Sequence, residues 1–351
     1  MDTFRIALYP GDGIGIDVIA EAVKVLQAAE QRFGFHIDMT EFNWGHRYWA
    51  ETGQVAPDDF LEQLRPFDAI LLGAVGDPGY LPDHITLKPL ITIRQSFDQY
   101  VCLRPVQLLP GVATPLANKQ PADIDILVVR ENSEGEYIDV GGFLKPTQDD
   151  EVSVQAALHT RKGVERILRY SFELARKRRK HLTMATKSNA WKYGMVMWDR
   201  ILTLVAPDYP DVRCDKCHID ALCMNFVRQP EFYDVVVGSN LFGDILSDLG
   251  GAIVGSLGLA PSANINPERK FPSLFEPVHG SAPDIAGKGI ANPIATIRSA
   301  AMMLDFLGMP EAAHRIEQVV LELLAQGSIR TPDLGGTNTT TEVGTEIAQR
   351  I

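Results

Sequence analysis

The sequence predicts an α/β fold, on three observations. Short apolar runs rich in β-branched residues recur along the chain, and most are separated by segments of helical periodicity. Two of those segments carry clear helix stop or start signals. The composition, 45% hydrophobic and 22% charged residues with 29 Gly and 22 Pro, is that of an ordinary globular chain.

The elements follow in chain order. Phe4–Tyr9 is an unbroken apolar run of strand length. Ile19, Val23 and Leu26 recur at helical spacing, the pattern continues to Phe33, and it stops at Gly34, a residue suited to the left-handed cap position. Asp68–Gly73 and Ile124–Val129 are further strands, and Pro105 to Asp123 between them is an irregular Pro/Gly/Ala-containing stretch. Gly141–Glu151 is similarly irregular, so either stretch is a crossover or an arm. A long helix is expected from near Val154, carrying the basic run Arg176–Lys180 on a solvated face. Leu182–Thr186 and Val235–Gly238 are strands, and a last clear helix runs from Pro293, a natural first-turn residue, through Ile297, Ala301 and Leu304 to Gly308.

With 351 residues the chain has room for two domains or one large one. Its 33 basic and 45 acidic residues give a net charge of −12, which argues against nucleic acid or an anionic membrane as partner and favours a small-molecule enzyme. The start MDTFRIALYPGDG lacks a basic region followed by a long apolar one, and no run reaches the roughly 18 apolar residues of a spanning helix. A cytoplasmic protein with no membrane partner is expected. Cys102, Cys214, Cys217 and Cys223 are too few for a disulfide scaffold and are expected to be reduced thiols.

Several constellations bear on chemistry. Gly11-Asp-Gly-Ile-Gly15 follows a strand and opens a helix, where glycines let backbone amides approach a ligand. Its spacing is not GxGxxG, and a tight structural turn and a ligand-binding turn are both open. Asp244 and Asp248 lie four apart on an expected helix and so share a face. Two carboxylates so placed repel unless solvated or bridged; with Asp220 as a third oxygen donor they suit Mg²⁺ or Mn²⁺. Arg94, Arg104 and Arg130, the last at the end of a strand, suit a substrate with two carboxylates if they converge, and are otherwise surface ion-pair partners. Cys214-Asp-Lys-Cys217-His218 matches the haem-attachment pattern by coincidence, since such chains are normally exported. His279-Gly-Ser-Ala-Pro-Asp284 is a loop ahead of a helix whose aspartate can accept hydrogen bonds from a ribose diol.

Taken together the motifs resemble the β-decarboxylating dehydrogenases, which act on isopropylmalate, isocitrate, homoisocitrate, tartrate or D-malate. The resemblance rests on PGDGIG at 10–15, LRP at 103–105, VRENSEGEY at 129–137, TKSN at 186–189, SNLFGDILSD at 239–248 and FEPVHGSAPDIAGKGIANP at 275–293. It implies an isopropylmalate dehydrogenase-like α/β fold, not a classical Rossmann fold, with two domains and an interdomain cleft completed by a second subunit. Residues 1–100 plus 254–351 would form the discontinuous cofactor-binding domain, and 101–253 the dimerisation and metal/substrate domain, with the arm near Gly141.

Carried over by motif, Arg94, Arg104 and Arg130 bind the malate carboxylates, and Asp220, Asp244 and Asp248 hold the divalent metal, one of them from across a homodimer. Lys187 and Tyr137 are the catalytic lysine and tyrosine, Lys187 acting from the partner subunit. Asn189 touches the nicotinamide side. The loop from Glu276 through His279, Gly280, Ser281, Ala282, Pro283, Asp284 and Ile285 to Asn292 binds the cofactor. Asp284-Ile285 is the pattern of NAD-using members, since a carboxylate repels a 2′-phosphate. K⁺ is a possible activator.

The implied activity is oxidation and oxidative decarboxylation of a small 2-hydroxy dicarboxylate. PDHITL at 82–87, DQYVCLRPV at 98–106 and SANINPERKFPSLFEPVHG at 262–280 are similar to the tartrate/D-malate branch. Leu90-Ile91 offers an apolar surface suited to the alternative substrate, 3-isopropylmalate, and Lys88-Pro89 departs from the Trp-Gly expected at that point, a difference that bears on the shape of the pocket and its preferred substrate.

Overall fold

The computed structural model describes residues 2–351, so Met1, first residue of the start inspected for a leader, lies outside the described residues. The strands are β1 (Thr3–Gly11), β2 (His36–Glu41), β3 (Ala69–Ala74), β4 (Val101–Gln107), β5 (Asp125–Glu131), β6 (Gly141–Leu144), β7 (Val152–Gln155), β8 (His181–Thr186), β9 (Arg213–His218), β10 (Val235–Gly238), β11 (Pro261–Ile265) and β12 (Ser273–Pro277). Ten of them form one sheet in the order β2-β1-β3-β12-β11-β4-β5-β10-β8-β9, and β6 pairs with β7 apart from it.

Two antiparallel strands interrupt this sheet. β2, β1, β3 and β12 are mutually parallel, as are β5, β10, β8 and β9, but β11 opposes both its neighbours and so does β4. A classical dinucleotide fold is parallel throughout, so the expectation of a different α/β architecture is met. Both sheet faces are covered, which is why the inner strands read as continuous apolar runs. In β1, Ile6 and Leu8 enter the main core, while Ala7 and Tyr9 pack on the opposite face with Trp44, Leu90 and Phe97.

Gly34 closes the helix Ile14–Phe33 at φ 73°, as its sequence position predicts, and Pro293 precedes the helix Ile294–Phe306. The helix expected from near Val154 begins instead at Arg161: Thr160 caps it, its hydroxyl accepting the Gly163 amide at 2.9 Å, while Val152 and Val154 belong to β7. Nor is Arg176–Lys180 a free basic helix face. It forms the end of that helix and the turn into β8, where Arg176 pairs with Asp211, Arg178 with Asp234 and Arg179 with Asp125. The irregular Gly141–Glu151 stretch is the first strand and tip of the exposed β6–β7 hairpin. No helix among the described residues is long and apolar enough to cross a membrane.

Candidate active site

At the parallel β5–β10–β8–β9 flank, the strand C-termini deliver the functional side chains to one edge of the sheet, the usual ligand side of such an array. Arg130 lies near the end of β5, in register with Gly238 at the end of β10. The helix Asn240–Ile253 follows β10 directly, its first turn capped by the Ser239 hydroxyl, and its residues 244 and 248 stand one turn apart. Arg104 comes from β4 beside β5, and Arg94 from the helix Lys88–Ser96.

These residues line one cleft of about 210 Å³ together with Tyr137, Glu276, His279 and Gly280. The three guanidiniums, which sequence leaves unrelated, are therefore neighbours. A larger groove of about 680 Å³ lies elsewhere, but it is lined by the apolar Leu103, Ala263, Ile265 and Phe275 among others, and it contains none of the residues expected to bind substrate, metal or cofactor or to act in catalysis.

Asp244 is the hub. Arg104 donates to its Oδ1 at 2.9 Å, Arg130 donates to the same oxygen, and the Tyr137 hydroxyl donates to Oδ2 at 2.6 Å. Burial alone would raise the Asp244 carboxyl, but Arg130 and Arg104 outweigh it and hold the group below the ordinary range. Asp248 is more exposed and moves the other way, raised by desolvation and by the Asp244 charge. Arg130, only 1% exposed, is fixed by donating from Nε and Nη2 to Asn240 Oδ1 at 2.9 and 2.6 Å. Its guanidinium lies 5.2 Å from the Tyr137 ring centre. Burial pushes the Tyr137 phenol up to about 12, with the Asp244 hydrogen bond adding to it. Arg94 donates to Glu276 at 2.7 Å, and the Nε atoms of Arg94 and Arg104 are buried without a partner.

Lys187 and Asp220 are not in this cleft. They follow the ends of β8 and β9, whose Thr186 and His218 are in register, and Lys187 Nζ donates to Asp220 Oδ1 at 2.6 Å. That bond lowers the Asp220 carboxyl. Asn189 is exposed beside them. Accordingly no group of three or more metal-ligating side chains assembles among the described residues of one chain. Asp244 and Asp248 supply two hard oxygen donors on one helix face, which fits a divalent cation provided further donors come from water, substrate or a second chain.

The glycine turn has a structural explanation. The Asp12 and Ile14 amides donate to Ala74 O and Ser281 O, both at 2.8 Å, and the Gly15 amide to Asp12 O at 3.0 Å, so these three amides are consumed within the protein. A Cβ on Gly13 would stand 2.0 Å from Ser281 O, and one on Gly15 2.3 Å from Pro10 O. The turn thus anchors the 279–292 loop. Ser281 is buried by it, Ile285 packs near Ile14 and Ala291, and Gly287 donates to Asp17 at 3.0 Å. Ala282 takes φ 37°, Pro283 follows it, Asp284 is exposed, and Asn292 donates to Asp333 at 3.0 Å.

Sequence reasoning missed the supports. Asn240, Ser247 and Asn264 hold Arg130, Arg104 and Glu276 respectively. Ser239-Asn240 at a helix start was a usable signal for the first; the others come together only through the sheet. Leu87 and Leu90, three apart, line the cleft, whereas Ile91 does not, so the apolar wall expected at Leu90-Ile91 is instead Leu87 with Leu90. Cys214 and Cys217 lie on edge strand β9 and all four cysteines are free.

The isocitrate/isopropylmalate dehydrogenase family model matches residues 5–347. The chain is 55% identical to the D-malate dehydrogenase [decarboxylating] of Escherichia coli (strain K12), covering 100% of this chain and 99% of that one. It is 52% identical to a tartrate dehydrogenase/decarboxylase of Pseudomonas putida, over 99% and 98% of the two. The crystal structure of isocitrate dehydrogenase from Methylococcus capsulatus superposes with a TM-score of 0.88 at 38% identity, covering 99% of both chains. The chain therefore belongs to the isocitrate/isopropylmalate dehydrogenase family.

Proposed function

We propose that the protein is an NAD-dependent, divalent-metal-dependent dehydrogenase that oxidises, and oxidatively decarboxylates, D-malate and tartrate-type 2-hydroxy dicarboxylates. The observation that carries the reading is the convergence of Arg94, Arg104 and Arg130 with Asp244, Asp248 and Tyr137 on one small cleft. The names of the two full-length relatives above support the substrate class.

In this reading the arginines bind the substrate carboxylates through paired hydrogen bonds. Asp244 and Asp248, with the partner subunit's Asp220, hold Mn²⁺ or Mg²⁺. When bound, the cation would supply Lewis-acid polarisation of the substrate's C2 oxygen, and NAD would supply the hydride acceptor. Lys187 removes the C2 hydroxyl proton, and Tyr137, protonated at neutral pH because its phenol sits near 12, delivers a proton to C3 once the β-carboxylate has left as CO₂. The exposed Asp284 carboxylate accepts from the ribose hydroxyls, Asn189 meets the nicotinamide side, and the 276–292 loop cradles the rest of NAD.

The division into a cofactor lobe, 1–100 plus 254–351, and a substrate lobe, 101–253, is part of the proposal. It is supported by the sheet, whose β11–β4 seam separates five strands of one set from five of the other. So is a homodimer. Phe143, Val154 and Tyr193 are 72%, 62% and 91% exposed, an apolar surface suited to a second copy, and Lys187 and Asp220 need a cleft to serve. The four free thiols support a cytoplasmic setting.

The test is NADH formation with Mn²⁺, with and without K⁺, across D-malate, L-tartrate, meso-tartrate, isocitrate and 3-isopropylmalate, with CO₂ measured in parallel. The highest kcat/KM is expected for D-malate and the tartrates. A preference for 3-isopropylmalate would instead make the Leu87–Leu90 wall the determinant of specificity and the protein an isopropylmalate dehydrogenase.

A further inference from the structure

Lys187 is bracketed by two hydroxyl residues that converge on one carboxylate. Thr186 Oγ1 donates to Asp199 Oδ1 and Ser188 Oγ donates to Asp199 Oδ2, both at 2.8 Å. Asp199 sits inside the helix Gly194–Val205 with its side chain 15% exposed, and its remaining partner is the Lys216 ammonium on the neighbouring strand β9. The Lys187 carbonyl is held in turn by the amides of Ala190 and Trp191, at 3.0 and 2.8 Å. An aspartate within a helix competes with the helical backbone and is not favoured there by propensity. Here each carboxylate oxygen takes a hydroxyl from one side of the same residue.

We infer that Asp199 is a positioning residue for Lys187: it fixes the backbone on both sides of the lysine, so that the side-chain nitrogen reaches the substrate hydroxyl without a search over loop conformations. The inference rests on the catalytic role proposed for Lys187. Misplacing a reacting group by about 1 Å costs of the order of 100-fold in rate, and substrate binding, carried by the arginines, is untouched.

The experiment is a cycle of Asp199→Asn, Lys187→Ala and the double variant in the full-length protein, assayed with D-malate and C2-deuterated D-malate. Asp199→Asn is expected to lower kcat about 10- to 100-fold with little change in KM, and to raise the deuterium isotope effect as the oxidation step becomes limiting. In the double variant it should add nothing to the loss from Lys187→Ala, whereas a merely structural role would lower both backgrounds alike. Ser188→Ala, which removes one arm and leaves the Lys216 pair, should give a smaller loss of the same kind and serves if Asp199→Asn does not fold. Full kcat in Asp199→Asn, or in Ser188→Ala where that serves, with Lys187→Ala inactive, overturns the inference alone. Lys187→Ala with near wild-type turnover overturns the catalytic reading and the inference with it.

Discussion

Arg130 carries three hydrogen bonds that no lysine can reproduce: two to Asn240 and one to Asp244, from a planar fork with almost no contact with solvent. Arg130→Lys should therefore lower kcat/KM for D-malate by about 100-fold, the equivalent of roughly 3 kcal/mol of charge-assisted hydrogen bonding, with secondary structure by circular dichroism unchanged. Wild-type kinetics in that variant would remove Arg130 from substrate binding. Tyr137→Phe keeps the ring beside Arg130 and loses only the hydroxyl. NADH-dependent reduction of oxaloacetate should survive, while CO₂ release coupled to D-malate oxidation falls by about 100-fold or more. Equal losses in both reactions would place Tyr137 in hydride transfer instead. Asp199 gives a stability test with a definite sign. Burial raises its carboxyl, but Lys216, Thr186 and Ser188 together hold it below the ordinary range. A carboxyl depressed in the folded state stabilises the protein above its unfolded pKa, near 3.9, and that contribution is lost as pH falls through the folded value. The stability gap between wild type and Asp199→Asn in urea should thus be level from about pH 7 to 5 and shrink below about pH 4. A gap that widens on acidification contradicts the assignment.

At the scale of elements, the helix Asn240–Ile253 couples strand and site. A Cβ on Gly243 would stand 2.5 Å from Arg130 Cβ, so the glycine lets this helix lie against β5 with Asp244 in reach of Arg130. Gly243→Ala should cost about 1–3 kcal/mol by overpacking. It should also lower turnover well beyond what unfolded protein explains, measured as activity per folded molecule; a stability loss with full activity would show that helix and strand can part without disturbing the site. Elements such as this one were legible where local chemistry decides them: Gly34 and Pro293 mark helix ends, and D-x-x-x-D put two carboxylates on one face. Edge strand β9, sequence RCDKCH, was invisible because half-buried charged residues carry no apolar run. The helix expected from near Val154 overran β7 because V-S-V-Q, though it alternates at the strand period, is only four residues long and stands just ahead of a long helical pattern. The convergence of Arg94, Arg104 and Arg130 depends on β4 pairing antiparallel to β5, a long-range fact that spacing alone does not encode.

Over the whole molecule, the proposed reaction needs groups that one chain keeps apart. Arg94, Arg104, Arg130, Tyr137 and Asp244 share a cleft, while Lys187 is paired with Asp220 outside it. A two-fold dimer resolves this if each chain lends its lysine to the other's cleft, because an isologous interface makes both exchanges at once. The apolar β6–β7 hairpin is the element free to hold such a pair together. Complementation distinguishes this from a lysine acting within its own chain. Lys187→Ala and Asp244→Asn homodimers should each be nearly inactive. After unfolding and refolding together in equal amounts, about half the dimers are mixed, and each mixed dimer has one site with an intact cleft and an intact lysine alongside one site with neither. Activity should return to about a quarter of wild type. If Lys187 instead served its own chain's cleft, every site in every dimer would carry one defect, and co-refolding would restore nothing.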